Sequence, residues 1–251
     1  MKLFSSKNYR RIIVLLMSAV LTVGVLFVLA SCGKNGDDEW DGVGETVADS
    51  AAFDAVLTAT NAEFTKADVN IKIEIKSREV ADGDFGEGTF LVNGSSVKMT
   101  QTYTSGDETE TETEYYGVEN DVNYNYSQVD GKWVKRVIDY NFMDGAAEEL
   151  FLGYAGKFAD AEYKDGGYYF EDEDSYDSQW DEETGELLEE SITITYKYVT
   201  ILKINNGKIA EVASESYRNG TLNYTFSYTF TYGGVGTIEL PTDAELVEEE
   251  D

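Results

Sequence analysis

The chain has 251 residues, with 49 Asp and Glu against 19 Lys and Arg, no histidine, and a formal net charge of −30. Without histidine it lacks the commonest metal ligand and the commonest general base near neutral pH, which excludes hydrolase chemistry of the Ser-His-Asp or Cys-His type. The acid excess also argues against a nucleic-acid partner, because neutralising phosphates needs a basic patch.

In chain order, Lys2, Lys7, Arg10 and Arg11 precede an apolar run from Ile12 to Leu29, and the sole cysteine, Cys32, follows it. A basic segment, an apolar segment and a small-residue cleavage site make a secretory signal peptide over residues 1–31. The ending Leu29-Ala30-Ser31-Cys32 resembles the lipobox of bacterial lipoproteins. That resemblance implies a Cys32 that carries a diacylglyceryl group and begins the mature protein. Two acyl chains meet the two-signal requirement of stable anchoring, since each buried CH₂ contributes only about 0.8 kcal/mol. The competing reading is an uncleaved membrane-spanning helix from about Ile12 to Ala30, which gives the same topology. Either way the expected location is the extracytoplasmic face of the cell membrane. Beyond the signal segment, 15 basic residues face 49 acidic ones, as suits an exported, solvated surface.

Residues 32–46 are glycine-rich and acidic and read as a tether. From Val47 to Lys66 the residues Phe53, Val56, Leu57 and Phe64 recur at helical spacing, with Asp49 or Ser50 as the cap. The period then changes to two. Ile71, Ile73 and Ile75 alternate with Lys72, Glu74 and Lys76, in the first of six strands joined by short turns as far as Tyr140. Asn93-Gly94 and Asp130-Gly131 are hairpin signals within that meander. A second helix is expected from about Asp144 to Phe158, on the strength of Ala147, Leu150, Phe151, Tyr154 and Phe158. Two short strands flank Asp165-Gly166-Gly167, and the acidic run 171–190 reads as an inserted, solvated loop. Strands resume at Ile192–Ile204 and Lys208–Tyr217. The last strand alternates Leu222, Tyr224, Phe226, Tyr228, Phe230 and Tyr232 with small polar residues, and an acidic tail occupies 242–251.

This order of elements, with about eleven strands and a closing strand near Thr237-Ile238-Glu239-Leu240-Pro241, resembles the LolA-like lipoproteins. The strand at Val122, the Asp-Gly turn and the Lys132-Trp133-Val134-Lys135 segment also look like a hairpin of uncharacterised Gram-positive lipoproteins. The resemblance covers residues 47–241. It implies an α+β fold, a curved antiparallel half-barrel with two helices on its concave face, and carriage of a lipid or amphiphile without catalysis or cofactor.

Three features are candidate sites. The stripe Tyr224, Phe226, Tyr228, Phe230 and Tyr232 lines a lipid cavity in one reading and packs on the helices as core in the other. Asp172, Asp174 and Glu183 occupy positions 1, 3 and 12 of an EF-hand-like frame, a faint signal for weak calcium, because Asp177 stands where glycine belongs. The run Glu108–Glu114 places glutamates on one strand face and threonines on the other, as a cation-binding ridge or a charge-protected edge strand. An acidic envelope module that binds basic proteins or cations is the rival to lipid carriage.

Overall fold

The computed structural model describes residues 42–80, 83–139, 154–180 and 187–247. One helix, α1 (Ser50–Phe64), precedes a twelve-stranded sheet. Asp49 caps α1, its carboxylate accepting the Ala52 N–H at 2.8 Å. The strands are β1 (Asn70–Glu79), β2 (Phe85–Asn93), β3 (Ser96–Ser105), β4 (Glu108–Glu119), β5 (Val122–Val129) and β6 (Lys132–Ile138), then β7 (Glu162–Lys164), β8 (Gly167–Trp180), β9 (Leu187–Asn205), β10 (Lys208–Arg218), β11 (Thr221–Tyr232) and β12 (Glu245–Leu246).

The sheet order is β12-β6-β5-β4-β3-β2-β1-β11-β10-β9-β8-β7. It is therefore two meanders, β1–β6 and β7–β11, joined where β1 pairs antiparallel with β11. The sheet curves without closing. Its hairpins use the turn chemistry that the sequence announces: Asp130-Gly131, Asn206-Gly207 and Asn219-Gly220 all sit at positive φ, the backbone that a type I′ turn needs.

The faces of the sheet follow from register. Ile71 pairs with Tyr232 and Val92, Ile75 with Tyr228, and Val92 with Val97. These side chains point to the side that carries α1, called here the helix face. Phe53, Val56, Leu57, Thr60 and Phe64 of α1 are buried against it. The core spans both meanders, from Val97 on β3 through Ile71 and Tyr228 to Leu202 on β9 and Tyr168 on β8.

Four sequence expectations change. The helix expected over 144–158 falls mostly outside the described residues. Its described end is Tyr154 and a 3₁₀ turn, Phe158–Asp160, whose Phe158 ring lies 5.4 Å from Phe53. One helix is thus described where two were expected. The acidic run expected as a loop is strand on both sides, β8 reaching Trp180 and β9 starting at Leu187. Its described acids between Glu171 and Asp177 are exposed on a paired strand, so no hydrophobic period marks that strand. The tether ends earlier than composition suggests: Gly44 N–H donates to Gly166 O at 3.0 Å and Glu45 N–H to Ile204 O at 2.7 Å. The acidic tail contributes β12, parallel to β6 through Glu245 and Leu246.

Candidate functional site

The aromatic stripe of β11 is packed core at its centre. Phe226, Tyr228 and Phe230 are each 4–5% exposed, and Phe64 of α1 meets Phe230 edge-on at 5.8 Å. Burial raises the Tyr228 hydroxyl above its usual range. Tyr232 braces the neighbouring strand, its hydroxyl donating to Ile209 O at 2.6 Å. Tyr224 is only part-buried and begins the rows beyond the core.

Those rows are polar. Continuing along the helix face, β3 offers Gln101 and Tyr103, paired across to Glu112 and Glu110 of β4. Far along the sheet, β8 offers Asp172, Asp174 and Tyr176, paired with Tyr198, Tyr196 and Ile194 of β9. Between these two walls the strands β2, β1 and β10 present small residues, Gly86, Gly88, Ser77, Ser214 and Ser216. A Cβ at Gly86 would lie 2.7 Å from Ser77 Oγ, so a side chain there would have to displace that hydroxyl.

The first wall is a row of carboxylates. Glu110, Glu112 and Glu114 share one face because strand residues alternate. Glu114 is 8% exposed and its Oε2 accepts from Tyr116 at 3.0 Å and Asn125 at 3.2 Å. Hydrogen bonding offsets the cost of burying that charge. Glu112 is held above the ordinary carboxylate range by desolvation first, then by the charges of Glu114 and Glu110. Its threonine neighbours face the other way and form a ladder with β3: Thr100 with Thr113 at 3.3 Å, Thr102 with Thr111 at 2.9 Å and Thr104 with Thr109 at 3.0 Å. The edge-strand expectation holds for this run among the described residues, since β4 pairs with β3 along its length but with β5 only over Tyr115–Glu119, which leaves Glu108–Glu114 bonded on one side.

Because the folded-state pKa of Glu112 is raised, the folded protein binds that proton more tightly than the unfolded chain, and stability falls as pH rises through that window. Glu112→Gln removes the repulsion. It should stabilise the domain at pH 7 by a few tenths to about 1 kcal/mol, the scale of like-charge pairs on a sheet. The gain should fade as pH drops toward the ordinary carboxylate range. Thermal unfolding at pH 7 and pH 4.5 measures both; an equal gain at the two values would assign the effect to something other than charge.

The second wall is aromatic and acidic. Tyr176, Tyr196 and Tyr198 form a run of near-parallel rings, with centroids 6.3 and 6.1 Å apart and interplanar angles of 13° and 10°. Tyr176 is 45% and Tyr198 43% exposed. Tyr198 is raised by burial, then by Tyr196 and Asp174. Asp172 and Asp174 of the calcium frame lie on strand β8. Asp172 Oδ1 accepts from Glu173 N–H at 3.1 Å and Asp174 Oδ1 from Ser175 N–H at 2.8 Å. These two acids cap main-chain donors of β8, and an EF-hand needs them on a loop. Glu183 lies outside the described residues. Among the described residues no group of three or more acids is placed to hold a metal ion.

Cys32 and the cleavage signal Leu29-Ala30-Ser31 also lie outside the described residues. Among those described, no helix is long and apolar enough to cross a membrane. No family model matches the chain, and no curated protein matches it either.

The walls were only partly readable in the sequence. The alternation of Glu108–Glu114 announces its glutamate face, whereas the tyrosine run joins β8 to β9 across a hairpin that composition disguises as loop.

Proposed function

We propose that this is an exported, lipid-anchored binding module without catalytic chemistry, whose partner is a basic polypeptide segment. Anchoring runs through Cys32. The partner lies on the polar rows of the helix face, between the glutamate wall of β4 and the tyrosine-aspartate wall of β8 and β9. The observation that carries the reading is the division of the face: Phe226, Tyr228 and Phe230 are buried in the core, with Phe64 of α1 edge-on to Phe230, and the rows beyond carry carboxylates and partly exposed rings. Carboxylates attract ammonium and guanidinium groups, and tyrosine faces hold cations within about 6 Å by a further 0.5–1 kcal/mol each. Lipid carriage through the aromatic stripe is less well supported, because the centre of that stripe is in contact with the helix.

Oligolysine tests the reading, provided the overall acidity is controlled for. In the full chain, Glu110→Gln, Glu112→Gln and Asp174→Asn together remove three charges from the proposed face. Glu87→Gln, Asp107→Asn and Asp243→Asn remove three from elsewhere. At near-physiological salt the first set should weaken oligolysine binding about tenfold, a loss of about 1.4 kcal/mol, and the control set less than about twofold. Equal losses would reduce the binding to bulk charge and overturn the assignment. A stoichiometric lipid in organic extracts of the purified protein would return the function to lipid carriage.

A further inference from the structure

The opposite face of the sheet carries a second feature, built by different residues. After β11 the chain turns back at Gly233 and Gly234, both at positive φ of 85° and 80°. It then crosses behind the sheet as a strap that ends in β12. Two asparagines hold the strap in place. Asn70 Oδ1 accepts from Val235 N–H and Asn70 Nδ2 donates to Val235 O, both at 2.9 Å, while Asn93 Nδ2 donates to Gly236 O at 3.0 Å. Farther on, Leu240 lies over Gly117, where an added Cβ would come within 2.4 Å of Leu240 Cδ1.

Between strap and sheet lies a cleft of about 630 Å³. Its sheet wall is a single cross-strand row. Thr231, Lys72, Leu91, Lys98 and Tyr115 are successive register partners on β11, β1, β2, β3 and β4. Lys72 and Lys98 flank Leu91, so their Cα atoms stand about 10 Å apart, two strand spacings. Lys72 is paired with Glu74 at 2.9 Å. Lys98 sits 5.7 Å from the centre of the Tyr115 ring and makes no ion pair among the described residues. The strap wall is Ile238, Glu239 and a run of glycines. The amides of Gly234 and Gly236 make no hydrogen bond to the described residues, and a Cβ at either position would meet nothing within 4 Å.

We infer that this cleft is a binding site for a small organic anion with an apolar or aromatic body, a carboxylate or a phosphate ester. Leu91, Tyr115 and Ile238 cover the body. Lys98, with glycine amides of the strap, takes the anionic end. The volume falls within the roughly 300–1,000 Å³ of small-molecule sites, which pair apolar walls with a few polar groups. The site shares no residue with the polar rows of the helix face, so the two readings stand or fall separately.

Phenyl phosphate is the probe, titrated by calorimetry into the full chain in a nonionic detergent. Inorganic phosphate and phenol serve as the two half-ligands. Saturable 1:1 binding of phenyl phosphate is expected, with each half-ligand weaker by tenfold or more. Lys98→Gln should weaken phenyl phosphate about tenfold, as losing one charge-assisted contact does. Lys76→Gln, at an exposed lysine outside the cleft, should leave it unchanged. Lack of saturation up to about 10 mM, a regime below about 3 kcal/mol of binding, would overturn the site. So would equal affinity in the Lys98→Gln protein, or phosphate binding as well as its phenyl ester.

Discussion

Phe53→Ala is expected to remove about 3–5 kcal/mol of folding stability, the range for deleting a buried aromatic ring. Phe53 is fully buried, and its ring sits 5.3 Å from Tyr168, 5.4 Å from Phe158 and 6.0 Å from Phe170. These partners come from β8 and the 3₁₀ turn before β7, both far from α1 in sequence. Only one described helix covers this sheet, and Phe53 joins its first turns to the second meander. The lost ring leaves a void that neighbouring aromatics fill only by leaving their rotamers, so the cavity term adds to the transfer term. Domains of this kind are stable by about 5–15 kcal/mol in total, so the variant should stand near the edge of folding. Urea unfolding followed by far-UV circular dichroism gives the loss directly. A loss under about 1 kcal/mol would mean that α1 is held by its C-terminal half alone, through Leu57, Thr60 and Phe64.

The sequence announces β1 and β11 because each has one more buried and one more solvated face, so apolar and polar residues alternate. The hairpins are legible for a separate reason: Asn-Gly and Asp-Gly are among the few dipeptides that accept positive φ at both positions. Legibility fails where tertiary structure decides. Nothing local tells Gly44 to dock on Gly166, nor Glu245 and Leu246 to lie parallel to β6. In β8 the residues Glu171 to Asp177 are exposed on both faces of a projecting hairpin, so the strand has no hydrophobic period to reveal it. The same limit applies to the candidate sites. Alternation alone puts Glu110, Glu112 and Glu114 on one face, and it identifies the stripe of β11. It cannot say that α1 packs on that stripe at Phe230, nor that five strands align Thr231, Lys72, Leu91, Lys98 and Tyr115 into one row under the strap.

Thr60 shows how a polar residue that helical patterning passes over can fix the register on which those faces depend. It is fully buried on α1; its hydroxyl donates to Val56 O at 2.9 Å and accepts the Ile209 N–H at 2.9 Å. Ile209 begins a β-bulge: it pairs with Ile204, Ala210 is the extra residue, and the ladder resumes with Glu211 opposite Lys203. The bulge sends Val212, Ser214 and Ser216 to the helix face and Glu211 to the other, where it pairs with Lys203 at 3.1 Å. A one-residue slip would reverse this and bury Glu211. Both main-chain groups of Ile209 are held by side chains, the N–H by Thr60 and the C=O by Tyr232. Thr60→Val keeps the shape and leaves a buried donor unpaired, at a cost of about 1–3 kcal/mol. Tyr232→Phe should cost less, since a carbonyl with two lone pairs tolerates the loss of one partner better than an N–H tolerates the loss of its only acceptor. Because both act on one residue, the double variant should lose less than the sum of the two, with coupling of about 0.5 kcal/mol or more. Hydrogen exchange at the Ile209 amide separates this account from simple loss of packing. Exchange there should quicken in Thr60→Val well beyond the global loss of stability, and an unchanged Ile209 amide would mean that a different group takes that proton and holds the bulge.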